Sequence, residues 1–284
     1  MPKRARVAAL MRENLPRVHY ETEDCPEEQA LLLAHLAGTD LELLPSATGS
    51  GEEDIEETRV QWNRQKELEE LEKFEAYVVI RSSEMPVGAR VLPTRFVDTA
   101  EKSRFVAKEI ATYRTDEFFA PSSTAPTSRM IDILACKCGL ARLTLDVKRA
   151  FLNVPEDEEI YVQPPREWLE SQSDQEVVWR MNRVLYGRRK GTSAFVEFLA
   201  SLLGQLGFER CAAAPQLFRK RSTVMEAHVD DLHAAGEVED LRQLAEKLEA
   251  HVAIKGDSIY RPGSTGEYEH LRRTRMRTRQ DIFI

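Results

Sequence analysis

The chain has 284 residues, 42% of them hydrophobic, and 40 Lys+Arg against 48 Asp+Glu give a formal net charge of -8. That length supports a real core, as one large domain or two smaller ones; apolar runs fall short of the roughly eighteen residues that cross a bilayer, and the start Met1-Pro-Lys-Arg-Ala-Arg6 lacks the apolar stretch of a secretory signal, so a soluble intracellular protein, cytoplasmic or nuclear, with no membrane partner is expected. The acidity is uneven, with 12 Lys+Arg and 20 Asp+Glu in residues 1–100 and 28 of each thereafter, so the net charge does not exclude a nucleic-acid partner.

Residues 1–51 read as a poorly defined extension, with a basic start, a short helical candidate over 27–36 and a Ser/Gly-rich linker at Ser46-Ala-Thr-Gly-Ser-Gly51. Residues 52–77 predict a charged helix. Its apolar stripe of Ile55, Val60, Trp62, Leu68, Leu71 and Phe74 is ragged, and without a sustained heptad it packs on the body rather than on a second copy. From residue 78 onward a single α+β domain is expected. Residues 76–80 and 90–97 are rich in strand formers, and residues 102–108 alternate basic and apolar, putting Lys102 and Arg104 on one face. Residues 128–139 have helical spacing ending at Gly139, and a strand follows over 140–147. Residues 177–185 form a mixed run into Tyr186-Gly187, and residues 194–206 predict a strong helix stopped at Gly207. Residues 223–229 and 232–235 read as a hairpin whose turn is Asp230-Asp231, and 241–252 as an amphipathic helix. Elements that interleave without a strict βαβ rhythm point to an antiparallel sheet packed on helices.

Two acidic stations stand out in these runs: Asp146, inside Leu143-Thr-Leu-Asp-Val-Lys-Arg-Ala-Phe151, and the pair Asp230-Asp231, inside His228-Val-Asp-Asp-Leu232. If their strands are neighbours, three carboxylates converge, and such a set with a bound triphosphate suits two Mg²⁺ ions, which prefer oxygen ligands. Phe151 would then wall the sugar pocket and exclude a ribose 2′-hydroxyl. Each station alone equally suits a solvated turn or an ordinary strand residue, because Asp favours turns. Basic clusters occur at Lys102, Arg104 and Lys108, at Arg180, Arg183, Arg188, Arg189 and Lys190, at Arg219-Lys-Arg221, and at Arg272, Arg273, Arg275, Arg277 and Arg279. The four cysteines, Cys25, Cys136, Cys138 and Cys211, show no paired-metal spacing and read as reduced thiols of the buried, apolar kind.

The wording around the stations is more specific than the stations themselves. Asp146-Val-Lys-Arg-Ala-Phe-Leu-Asn153, Glu159-Ile-Tyr-Val-Gln-Pro-Pro165, Val184-Leu-Tyr-Gly187, Leu206-Gly-Phe208, Leu217-Phe218 and His228-Val-Asp-Asp231 occur in that order, preceded by Lys102-Ser-Arg-Phe-Val-Ala-Lys108 and Phe118-Phe-Ala-Pro121. Over roughly residues 78–280 this resembles the reverse transcriptase of copia-type long-terminal-repeat retrotransposons. The resemblance implies a fingers-and-palm polymerase fold that copies RNA, then DNA, into DNA from a primer, using deoxynucleoside triphosphates and Mg²⁺, or Mn²⁺ in its place. Carried over by position, Asp146, Asp230 and Asp231 are the catalytic metal ligands and Phe151 is the gate against ribonucleotides. Lys102 and Arg104 face the triphosphate, or serve as ordinary surface charges. Gly187 and Lys190 lie in the stretch, residues 186–191, beneath the incoming nucleotide and template.

The chain departs from the family pattern at several points. His228 stands where tyrosine is usual, Gly187-Arg-Arg-Lys-Gly-Thr192 lacks the usual glutamine, and Ala214 replaces a common aspartate before Pro215. The similarity ends near Tyr268-Glu-His-Leu-Arg-Arg-Thr274, from which a palm without thumb or ribonuclease H domain is expected. Three readings remain open at this stage: an active polymerase module of a longer polyprotein, a remnant that binds nucleic acid with little synthesis, and a metal-dependent hydrolase using His228 and His233 beside the carboxylates.

Overall fold

A computed structural model describes residues 52–99, 101–109, 120–174, 176–271 and 273–277. The chain divides into two compact units, residues 1–48 and 49–284, and all described residues lie in the second. The helical candidate at 27–36, the linker at 46–51, Cys25, and Phe118 and Phe119 lie outside the described residues.

In chain order the elements are helix α1 (Glu52–Lys73); strands β1 (Tyr77–Arg81), β2 (Val91–Leu92), β3 (Thr94–Asp98) and β4 (Ser103–Ala107); helix α2 (Ala125–Cys138); strands β5 (Ala141–Val147) and β6 (Tyr161–Val162); helix α3 (Arg166–Glu170); strand β7 (Val177–Met181); helix α4 (Gly191–Gln205); strands β8 (Glu209–Arg210), β9 (Leu217–Lys220), β10 (Thr223–His228) and β11 (Asp231–Gly236); helix α5 (Val238–Glu249); and strands β12 (Ile254–Tyr260), β13 (Gly266–His270) and β14 (Arg273–Arg277). The architecture is α+β, as the sequence predicts. Its centre is a six-stranded antiparallel sheet in the order β12-β5-β11-β10-β9-β8.

The two faces of that sheet differ because strand side chains alternate. One face carries Leu143, Leu145, Val147, Met225, Ala227, Leu232 and Ala234, which pack with Phe195, Leu199 and Leu203 of α4 and Leu241, Leu244 and Leu248 of α5 into the main apolar core. The opposite face carries Arg142, Asp146, Glu226, His228, Asp231 and His233, and α2 lies over part of it, with Ser128, Ile131, Asp132 and Ala135 buried. α2 begins three residues before the sequence expectation. Thr124 caps it by accepting from the Thr127 N–H, while the Thr127 hydroxyl returns the bond. A threonine in place of the usual Glu/Gln makes this capping box hard to see in sequence.

A smaller cluster, built by α1, the sheet β1-β7-β6-β2 and the hairpin β3–β4, surrounds Trp179. Tyr77 stacks on Trp179 at 3.7 Å, and Phe105 and Trp168 meet it edge-on at 5.5 and 5.1 Å. α1 packs on this cluster through Leu68 and Leu71. Its stripe is not the one spelled by hydrophobicity, since Trp62 is exposed while Asn63 and Glu67 are buried. Glu67 is drawn inside by two arginines, Arg104 and Arg149, that pair with it.

Candidate active site

The register of β5 and β11 brings the two acidic stations together. Asp231 is the cross-strand partner of Asp146, so their side chains leave the same face of adjacent strands. Asp230 precedes Asp231, and its carbonyl accepts from the Val147 N–H at 2.9 Å, which ties the turn to the end of β5. The turn of the β10–β11 hairpin is Val229-Asp230 rather than the acidic pair, because His228 pairs directly with Asp231. Val229 sits at φ 53, in a region that β-branched residues rarely enter, so the hairpin tip is held in an uncommon conformation at the acidic station.

Burial, followed by the charges of Asp231 and Asp146, pushes the Asp230 carboxyl up to about 6, against its own backbone hydrogen bond and the positive charge of Lys102. Repelling carboxylates in a partly dehydrated site call for a cation, and an all-oxygen donor set fits a hard divalent ion. Asp146 and Asp231 face each other across β5 and β11, but the three carboxylates do not have ligand atoms all within 4.8 Å of one another. The described residues whose ligand atoms all lie within 4.8 Å of one another are Glu226, His233 and His270 instead.

The sugar-gate candidate Phe151 lies in a 3-10 turn, residues 150–153, just beyond β5. Its ring packs on Tyr186 at 5.0 Å and on Phe195 at 6.4 Å, which fixes its direction. Gly187 has φ 82, and a Cβ there would collide with the Ala107 carbonyl oxygen. The Ala107 N–H donates to Tyr186 O at 2.7 Å, so this glycine lets the 186–187 turn dock on β4.

Lys102 and Arg104 flank the site from the β3–β4 hairpin. Lys102 is exposed and acts on Asp230. Arg104 donates to Glu67 Oε2 at 3.1 Å and lies 5.5 Å over the Tyr186 ring. Lys190 is buried and held by Glu156 at 2.8 Å, by Glu158 at 3.1 Å and by Asp157. Arg188 is likewise buried, with Glu158 at 2.8 Å. These two charges of the 180–190 basic cluster therefore serve the fold. Cys138 and Cys211 are exposed free thiols and Cys136 is half-buried, so these three described cysteines are not the buried apolar kind expected.

Three site residues were not assigned from sequence. Arg149 sits in the left-handed region at φ 52 and pairs with Glu67, and Lys255 is the partner of Asp146 on its other side, in β12. Arg149 was visible in the Asp-Val-Lys-Arg string. Glu67 and Lys255 carry no local signal.

His228 and His233 do not share a ligand position. His228 faces Asp231, and its Nδ1 accepts from the Ser123 N–H at 3.2 Å; His233 faces Glu226 and is fully buried. A hydrolase built on the two imidazoles therefore has no common site.

The chain is 27% identical over 190 residues to the "Retrovirus-related Pol polyprotein from transposon TNT 1-94" of Nicotiana tabacum, a match covering 61% of this chain and 14% of that relative. A similar solved structure, described as the foamy viral protease-reverse transcriptase dRH in complex with ds DNA, covers 76% of this chain and 34% of its own, with 17% identity and a TM-score of 0.44. The family described as reverse transcriptase (RNA-dependent DNA polymerase) matches residues 77–258, a span that contains both acidic stations, Phe151 and the Tyr186-Gly187 turn. The chain belongs to the reverse transcriptase family.

Proposed function

We propose that this chain is the polymerase module of a copia-type retrotransposon, adding deoxynucleotides to a primer 3′-hydroxyl on an RNA or DNA template. The observation that carries this reading is the pairing of Asp231 with Asp146 beside Asp230, inside the span that matches the family. In this reading Asp146, Asp230 and Asp231 hold two divalent ions, Mg²⁺ or Mn²⁺. When bound, such ions lower the pKa of the attacking hydroxyl and neutralise the leaving pyrophosphate.

The protein's own groups do the positioning. Phe151, braced by Tyr186 and Phe195, sits against the sugar, where a 2′-hydroxyl would collide with the ring. Lys102 and Arg104 receive triphosphate oxygens, and the Glu67 carboxylate holds Arg104 and Arg149 in place until they do. Gly187 keeps the 186–187 turn against β4, so the base and sugar pockets share one rigid wall. Lys190 acts through the framework, by fixing residues 156–158 under that turn. In this reading the protein works inside the cell, in cytoplasm or nucleus.

Extension of a DNA primer on an RNA template with Mg²⁺ and deoxynucleotides tests this. Asp146→Asn should cut the rate at least about a hundredfold, the scale of several kcal/mol of lost metal-ion stabilisation. Undiminished extension by that variant would sink the site assignment. Wild-type chain that holds primer-template but never extends it would instead favour a nucleic-acid-binding remnant.

A further inference from the structure

Beneath the hairpin that carries Asp230 and Asp231, on the same face of the sheet, Glu226, His233 and His270 converge from β10, β11 and β13. All three are buried, at 0%, 0% and 4% exposure. Glu226 and His233 are direct cross-strand partners, and His270 arrives from the β13–β14 hairpin. His233 Nδ1 lies 3.4 Å from Glu226 Oε1, and His270 Nε2 lies 3.2 Å from the same oxygen. These separations are long beside the usual 2.9–3.0 Å or so of an N–H···O hydrogen bond. They match the edge of a tetrahedral site, where ligands about 2.0–2.1 Å from a zinc ion stand about 3.3–3.4 Å apart.

Three further observations favour a cation here. Glu226 Oε2 is buried with no hydrogen-bond partner, while Oε1 also accepts from the Ser128 hydroxyl. The ion-pair partners of Glu226 among the described residues are the two imidazoles, whereas the nearby Asp132 is matched by Arg275 at 3.0 Å and Arg142 at 3.5 Å. The His233 ring is fully buried, with its Nδ1 turned toward Glu226. Behind it, His233 Nε2 faces Asp132 Oδ1 at 3.5 Å, and Tyr268 Oη donates to the same Asp132 oxygen at 2.5 Å. A carboxylate behind the second ring nitrogen is how ligating histidines are oriented.

We propose that Glu226, His233 and His270 form a buried structural site for one transition-metal ion of the Zn²⁺ class, separate from the carboxylates of the catalytic station. Two imidazoles and one carboxylate suit Zn²⁺ or Co²⁺, while Mg²⁺ prefers oxygen donors alone. The ion staples the β13–β14 hairpin to β10 and β11. Asp231 is two residues from His233 along β11, about 7 Å at strand rise, so the staple also stiffens the catalytic hairpin.

The test uses the full chain without an affinity tag, stripped by chelator and held in excess Mg²⁺ to occupy the catalytic carboxylates. Titrated Co²⁺ should bind at one ion per chain with tetrahedral visible absorption, be displaced by one Zn²⁺, and raise the melting temperature. Glu226→Gln and His270→Gln should each weaken binding by about a hundredfold or more and Asp132→Asn by about 10–100-fold, while Asp146→Asn should leave it intact. X-ray absorption of the Zn²⁺-loaded wild-type chain should show two imidazoles, a readout that does not depend on any variant folding. Fewer than two imidazoles, or absorption that persists in His270→Gln, overturns the proposal and leaves a hydrogen-bond network centred on the Glu226 carboxylate.

Discussion

Asp230 is a residue whose surroundings strongly alter its chemistry. Its carboxyl is pushed up to about 6, first by burial and then by Asp231 and Asp146. Because the folded value lies above the unfolded one, the folded state holds the proton more tightly, and this contribution to stability is present at low pH and lost as pH rises through about 6. Without divalent ions, Asp230→Asn should therefore raise stability at pH 7–8, by up to about 2 kcal/mol after allowing for partial solvent screening, and the gain should vanish near pH 4; urea unfolding across pH reads this directly. The same linkage predicts weaker divalent-ion binding as pH falls through about 6, since a proton and a cation compete for Asp230. At Phe151 the prediction concerns selectivity: Phe151→Ala should raise ribonucleotide use relative to deoxynucleotide by at least about tenfold, and an unchanged ratio in competitive extension would mean that the ring does not gate the sugar. Asp146, Asp230, Asp231 and Phe151 were legible as candidates because their strings are local. The state of Asp230 was not, since it depends on a neighbour 84 positions away in sequence that only the strand register supplies.

Among the elements, the β10–β11 hairpin and the 186–187 turn show how close the sequence came. The hairpin was predicted correctly, but its turn is Val229-Asp230, one position earlier than the acidic pair. Asp favours turns, whereas the register is set by which residues of β10 and β11 face the apolar core, and that requirement prevails. At Gly187 the φ of 82 and the approach of the Ala107 carbonyl leave no space for a side chain. Gly187→Ala should thus destabilise by about 2 kcal/mol or more, as strain and collision add, with a lower urea midpoint and an unchanged slope. α1 gives the opposite lesson. Its existence and start were readable from helix formers, although it ends at Lys73 rather than at residue 77; its buried face was not readable, because Glu67 is held inside by Arg104 and Arg149, which belong to distant parts of the chain. A buried charge stripped of its partners is costly, so no periodicity of apolar residues could have placed it.

For the whole molecule, charge is the quantity the fold redistributes. The sequence shows basic clusters of similar appearance, yet Arg188 and Lys190 are buried against acidic side chains of residues 156–158 while Lys102 remains exposed beside Asp230. Binding to a primer-template should weaken with salt as phosphates release counterions. Lys102→Ala is expected to lower the log–log salt slope by about one phosphate contact, whereas an exposed-charge role for Lys190 would predict the same loss from Lys190→Ala, which should instead leave the slope unchanged and lower stability. Fluorescence anisotropy at graded salt separates the two. The sequence by itself determined the principal helices, the strands of the two acidic stations, the α+β class and the candidate site residues, because periodicity, glycine stops and ordered motifs are all local, whereas β12 beside Asp146 and the β13–β14 hairpin carried no such signal. Only the tertiary structure decided which carboxylates meet, which basic groups remain exposed and that two histidines close on a buried glutamate. Those outcomes depend on register and packing between residues up to more than eighty positions apart, where the cost of burying a charge is set by the partner it finds.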